Sequence, residues 1–173
     1  MQKNGSLVLR CGVLWSKVGE RGITLTAPDM LLGEHEHTID DKNRLTLPAK
    51  FRAAFATGVV LTRGMDGCLY AYRQEDWDTL VESRLAELDP LSKEGRRMQR
   101  FFFSGATEAE LDRQGRVMIP AALVQHGGLG RNVVVAGVRD HLEIWDSAAW
   151  RKELKEVEGS AEDVAERLAT KRD

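Results

Sequence analysis

A chain of 173 residues has room for one ordinary domain or two very small ones. Its 42% hydrophobic and 30% charged content is that of a soluble globular protein with material for a core, and a formal charge of −2 excludes a protein that is basic all over. An anionic partner would therefore have to meet a local patch, and composition is neutral on nucleic acid.

At the N-terminus "SLVLRCGVLW" is interrupted by Arg10 and is too short for a spanning helix, and a signal peptide is not expected. Cys11 and Cys68 lie far apart, with no second cysteine or histidine at metal-ligand spacing near either. That pattern makes neither a zinc site nor a disulfide framework and suits a reducing cytoplasm. Residues 1–29 resemble nothing later in the chain and are read as a disordered or non-native leader.

From Thr38 the chain reads "TIDDKNRLTLPAKFR", and from Glu110 it reads "ELDRQGRVMIPAALV". Asp40 answers to Asp112, Arg44 to Arg116, Pro48 to Pro120, and Leu45 and Leu47 to Val117 and Ile119. The match continues, because "VVLTRGMDGCLYAYRQEDW" from Val59 resembles "VVVAGVRDHLEIWDSAAW" from Val133. A repeat of this length means one supersecondary unit used twice. In the first copy a strand over His37–Ile39 enters a turn, and a strand leaves it from Arg44. In the second copy the entering strand is Glu110–Leu111, and the leaving strand starts at Arg116. Asn43 and Gly115 hold the equivalent turn position and are the residue types that best tolerate positive φ. Pro48 and Pro120 suit a first helical position. Short helices over "AKFRAAFA" and "AALVQH" stop at Gly58 and at Gly127–Gly128. The strands "VVLT", "CLYAY", "NVVVAG" and "LEIW" follow, with Gly64 and Gly67 marking a further turn.

Between the copies, "QEDWDTLVESRLAEL" places Trp77, Leu80, Val81, Leu85 and Leu88 on one helical face. A second helix covers "LSKEGRRMQRFFFSG", where Lys93, Arg96, Arg97 and Arg100 oppose Glu94 and read as a solvated face. Phe101 to Phe103 pack in the core or between subunits. A helical tail from Asp146 to about Ala169 is expected to break near Gly159–Ser160. The organisation is thus a first repeat at 30–77, a helical insert at 78–104, a second repeat at 105–150 and a tail at 151–173. Trp77 and Trp150, at matching places, anchor helices on the strands.

A strand-rich unit of this size buries too little surface to stand alone and exposes strand edges. Two copies about a pseudo-twofold axis close a small barrel and put two like turns on one rigid surface. In a single copy, Asp40 and Arg44 would read as an exposed pair of little energetic weight. In two copies with Lys42, Lys50, Arg52 and Arg113 nearby, the balance turns to recognition. An oriented arginine reads guanine O6 and N7 in the major groove, and flanking cations suit phosphates. His35 and His37 alternate with acids on one strand and lack further metal ligands; His126 and His141 are isolated. No nucleophile elbow, phosphate-cradling loop or metal-binding helix pair is present, so an enzyme, a cofactor and a small-molecule substrate are not expected.

The segments "LGEHEHTIDDKNRLTLPAKFR", "LTRGMDGCLYAY" and "ELDRQGRVMIP" resemble the signatures of the MraZ family of bacterial transcriptional regulators, from Met30 to about Trp150. The resemblance implies an α+β fold of two tandem SpoVT-AbrB β-α-β repeats in a swapped-hairpin, AbrB-like double-psi β-barrel core with added helices. It implies ring-shaped self-assembly and binding of short direct repeats of double-stranded DNA, generally as a repressor of a cell-division and cell-wall gene cluster, in the cytoplasm at the nucleoid. On this reading Arg44 and Arg116 contact bases and Asp40 and Asp112 orient them. Lys42, Lys50, Arg52 and Arg113 supply phosphate affinity. The competing expectation is a protein-binding scaffold or antitoxin-like AbrB module on the same fold.

Overall fold

The computed structural model describes residues 30–170; the reading of residues 1–29 as a leader lies outside the described residues. Strand β1 (Leu31–Thr38) runs into a turn, and β2 (Arg44–Thr46) leaves it. Helix α1 (Ala49–Arg52) tightens into a 3-10 turn at Ala53–Phe55. Strands β3 (Val59–Arg63) and β4 (Leu69–Tyr72) form a hairpin around the Met65–Gly67 turn, where Asp66 and Gly67 take positive φ. The insert holds α2 (Gln74–Leu80), widening into a π-helical turn at Val81–Leu85, and α3 (Lys93–Phe103). The second copy repeats the plan with β5 (Thr107–Ala109), β6 (Arg116–Met118), α4 (Ala121–His126), β7 (Asn132–Arg139) and β8 (His141–Asp146). Helix α5 (Ser147–Thr170) closes the described chain.

The two copies build their sheets together. One antiparallel six-stranded sheet has the order β1-β7-β8-β4-β3-β5, and a two-stranded ribbon pairs β2 with β6. Exchanging each strand for its counterpart (β1 for β5, β3 for β7, β4 for β8) leaves that order the same read backwards. The topology therefore carries the duplication as a pseudo-twofold. β1 pairs with β7 along its length, from Leu31 opposite Arg139 to Thr38 opposite Asn132, and β3 pairs with β5. Backbone groups that would be orphaned on the edge of a single copy are thus taken up by the other copy.

β-Branched runs in β3 and β7 are buried on both faces, which suits continuous apolar strands. The main core gathers Leu45, Leu47, Phe51 and Phe55 from one copy and Val117, Ile119, Leu123, Val133 and Val135 from the other. A second cluster packs Trp77, Leu85 and Phe102 against Val60 and Tyr72, attaching the insert to the outer face of β3 and β4. Trp150, half-buried, lies 5.7 Å from Trp145 and donates from Nε1 to Glu34 Oε2 at 2.9 Å, fixing the start of α5.

Several local expectations are corrected. The entering strand of the first copy begins at Leu31 rather than His37, because β7 offers a long partner. That of the second copy is Thr107–Ala109 rather than Glu110–Leu111, because the open edge of β3 takes those residues. Pro48 and Pro120 stand one residue before the helices, with extended ψ of 135° and 141°. Helix α5 runs without a break through Gly159 and Ser160, since one glycine costs only about 1 kcal/mol in a helix.

Candidate nucleic-acid interface

Each turn is a three-residue reversal closed by its own backbone. Asn43 N–H donates to Asp40 O at 2.9 Å and Asp40 N–H to Arg44 O at 3.0 Å; Gly115 N–H donates to Asp112 O at 2.8 Å and Asp112 N–H to Arg116 O at 2.9 Å. Asn43 (φ 56°) and Gly115 (φ 74°) supply the left-handed residue that this geometry needs. The carboxylates complete the lock. Asp40 Oδ1 accepts from the amides of Lys42 and Arg44, both at 2.9 Å, and Oδ2 accepts Arg44 Nε at 2.7 Å and Nη2 at 2.6 Å. In the second turn Asp112 Oδ1 accepts from the amides of Gln114 (2.8 Å) and Arg116 (3.0 Å), and Oδ2 from Arg116 Nε and Nη2, both at 2.7 Å.

The electrostatics follow the contacts. Hydrogen bonds from the arginine side chain and then its amide hold Asp40 and Asp112 down to about 2, so both stay ionised. Arg44 is held above its usual value by the Asp40 hydrogen bond, with a further contribution from the charge of Asp112 in the other turn. An arginine bound through Nε and Nη2 keeps its terminal edge for another partner, and its plane no longer rotates.

The ribbon sets where the arginines point. Arg44 lies opposite Met118, Leu45 opposite Val117, and Thr46 opposite Arg116. Leu45 and Val117 are fully buried. By the alternation of a strand, Arg44, Thr46, Arg116 and Met118 therefore share the outward face. Arg44 and Arg116 are diagonal neighbours there, a placement that spaces backbones by about 7–8 Å. The turns are also tied to each other: Leu47 N–H donates to Gly115 O at 2.9 Å, and Ile119 N–H to Asn43 O at 2.8 Å.

Of the other candidate residues, Lys42 and Arg113 are exposed at the two turn tips. Lys50 lies elsewhere: its Nζ donates to the Leu32 carbonyl and stands 4.8 Å over the Phe51 ring. Arg52 donates from Nε to Leu47 O at 2.9 Å, and its side chain sits against the second turn, where a Cβ added at Gly115 would come 2.5 Å from Cδ and Nε. Arg52 thus buttresses the second turn, while Lys50 caps a carbonyl of β1. Thr46 and Met118 complete the outward face, and in the sequence only their alternation with Leu45 and Val117 marks them.

The histidines do other work. His35 packs edge-on to Phe51 at 5.6 Å, and His126 Nε2 lies 3.0 Å from Gly64 O. Burial, His35 and Arg52 lower His37. Among the described residues no group of three or more metal-ligating side chains is placed to hold an ion.

A family model described as "MraZ protein, putative antitoxin-like" matches residues 30–101 and again 102–172, one match to each copy. The chain belongs to the MraZ family. Among relatives, the transcriptional regulator MraZ of Ligilactobacillus salivarius is 46% identical over 139 residues, covering 80% of this chain and 96% of that protein. That of Lactiplantibacillus plantarum is also 46% identical over 139 residues, covering 80% and 98%. That of Roseiflexus castenholzii is 45% identical over 140 residues, covering 81% and 97%. The family's doubled architecture is thus the one seen here, a mixed α+β fold with an antiparallel sheet.

Proposed function

We propose that this protein is a sequence-specific, double-stranded DNA-binding transcriptional regulator without enzymatic activity. Its relatives carry the name of transcriptional regulators. The observation that carries the reading is the pair of arginines, each fixed by its own aspartate on one outward ribbon face. The major groove admits a two-stranded ribbon, and an immobilised guanidinium suits guanine O6 and N7. Arg44 and Arg116 read bases, Asp40 and Asp112 orient them, and Lys42 and Arg113 meet phosphates. Lys50 and Arg52 add phosphate affinity only on leaving the Leu32 and Leu47 carbonyls.

On the same reading the strand exchange between copies is the swapped-hairpin, double-psi barrel of the AbrB type. Protomers assemble into a ring that spans short direct repeats, so that weak contacts add through effective concentration. The protein acts in the cytoplasm at the nucleoid, as a repressor of a cell-division and cell-wall gene cluster. The test is a gel shift on DNA upstream of the protein's own gene with Arg44→Ala and Arg116→Ala. Each variant is expected to lose retardation with its assembled mass unchanged. Full retardation by both would sink the reading.

A further inference from the structure

Two faces of the chain lie unused within one protomer, and they are complementary. Every residue from 155 to 170 of α5 is exposed. Val157, Ala161, Val164 and Leu168 recur there at intervals of four, three and four, which lines them along one side of the helix. Val157, Val164 and Leu168 are 50%, 37% and 60% exposed. Glu158 and Glu162 flank the stripe on one side, and Glu156 and Asp163 on the other. Over residues 155–170 five acids stand against Lys155 and Arg167, a formal charge of −3. A helix draws most of its stability from packing an apolar face, and this one packs nothing beyond its first turns.

Helix α3 shows the opposite pattern. Lys93, Arg96, Arg97 and Arg100 share the face turned away from buried Gly95 and Phe102, and with Glu94 they carry a formal charge of +3. Arg96 donates to the Pro90 and Leu91 carbonyls, whereas Lys93, Arg97 and Arg100 have no ion-pair partner among the described residues. Beside this basic face stand two exposed apolar side chains, Phe103 at 45% and Leu91 at 87%.

We infer that α5 of one protomer lies on α3 of the next, its acids against Lys93, Arg97 and Arg100 and its apolar stripe against Phe103 and Leu91. The exposed part of α5 is about 24 Å long and α3 about 16 Å, so the stripe covers the whole basic face. The contact joins two different surfaces. A heterologous contact of that kind propagates head to tail and closes into a ring when the rotation permits. The inference deepens the self-assembly in the proposed function by naming its surfaces, and it does not depend on what the ribbon reads.

The test is solution mass by light scattering, with far-UV circular dichroism as a folding control. Val164→Asp on α5 and the pair Arg97→Glu with Arg100→Glu on α3 are each expected to reduce the assembly to single protomers. Mixing the α5 variant with the α3 variant should give dimers only, because each mixed pair retains one intact contact. Reversing both sides in one chain, with Glu158→Lys and Glu162→Lys added to the α3 pair, should restore the wild-type mass. Unchanged mass in the single-face variants overturns the proposal. So does an α3 variant that assembles normally while losing DNA, which would turn the basic face toward the duplex. So does failure of the α5 variant alone, which would pair α5 with itself. The gel shift with Arg44→Ala and Arg116→Ala, read at constant mass, fails independently of any of these outcomes.

Discussion

The two turns are alike inside and different outside. In both, one aspartate binds two backbone amides and the Nε–Nη2 edge of an arginine at nearly the same distances. Around that lock the copies diverge. The first turn sets Asp40 and Asp41 against Lys42 and Arg44 and is formally neutral; the second sets Asp112 against Arg113 and Arg116 and is positive. Arg52 underpins the second turn, whereas the matching position of the other copy is Val124, which has no such reach. Duplication has kept what fixes the arginine and released what surrounds it.

The largest difference should appear on replacing the left-handed residue. Gly115→Ala meets both positive φ and the Arg52 side chain, and a loss of about 2–4 kcal/mol in denaturant melts is expected. Asn43→Ala meets strain alone, about 1 kcal/mol. Adding Arg52→Ala to Gly115→Ala should return the clash portion only. Equal losses in the two turns would show that Arg52 is not the source of the asymmetry.

Next come the arginines. Arg44→Ala and Arg116→Ala should each weaken DNA binding by about 1–3 kcal/mol, roughly 5- to 150-fold, measured by titration at fixed salt. If only one turn reads bases, a single variant will show the loss and the doubled lock has another purpose.

A smaller effect separates the tips. Arg113→Gln should reduce the slope of log affinity against log salt by about 1, as should Lys42→Gln. Asp41, beside Lys42 and lacking a counterpart in the second turn, predicts the lesser loss for Lys42.

The least effect is on pH. Hydrogen bonds from the arginines hold Asp40 and Asp112 down to about 2, so the locks are fully present above the usual carboxylate range and dissolve as pH falls through about 2. Two-dimensional NMR should show slowed arginine Nε–H exchange that persists to about pH 3 and is lost near 2. Asp40→Asn should abolish it in one turn only.

The turns were legible in the sequence because their encoding is local: aspartate, left-handed residue and arginine sit within five positions. The apolar partners Leu45 and Val117 were legible for the same reason. Strand limits were not, since β1 takes its length from β7 a hundred residues on, and β5 is placed by the edge of β3. The ends of Lys50 and Arg52 were also illegible, because long flexible cations find carbonyls that only the assembled fold brings near. Gly159 misled because a lone glycine on an exposed helix weakens it without ending it.

Every strand of the first copy pairs with a strand of the second, and within the first copy only strands β3 and β4 pair with each other, which has a consequence at the ribosome. While residue 101 is emerging, β1 has no β7, β2 has no β6 and β4 has no β8. The nascent half must wait, with apolar strands unsatisfied, until β8 has left the exit tunnel, so folding is concentrated at the end of synthesis and the half-made chain is a natural client for chaperones.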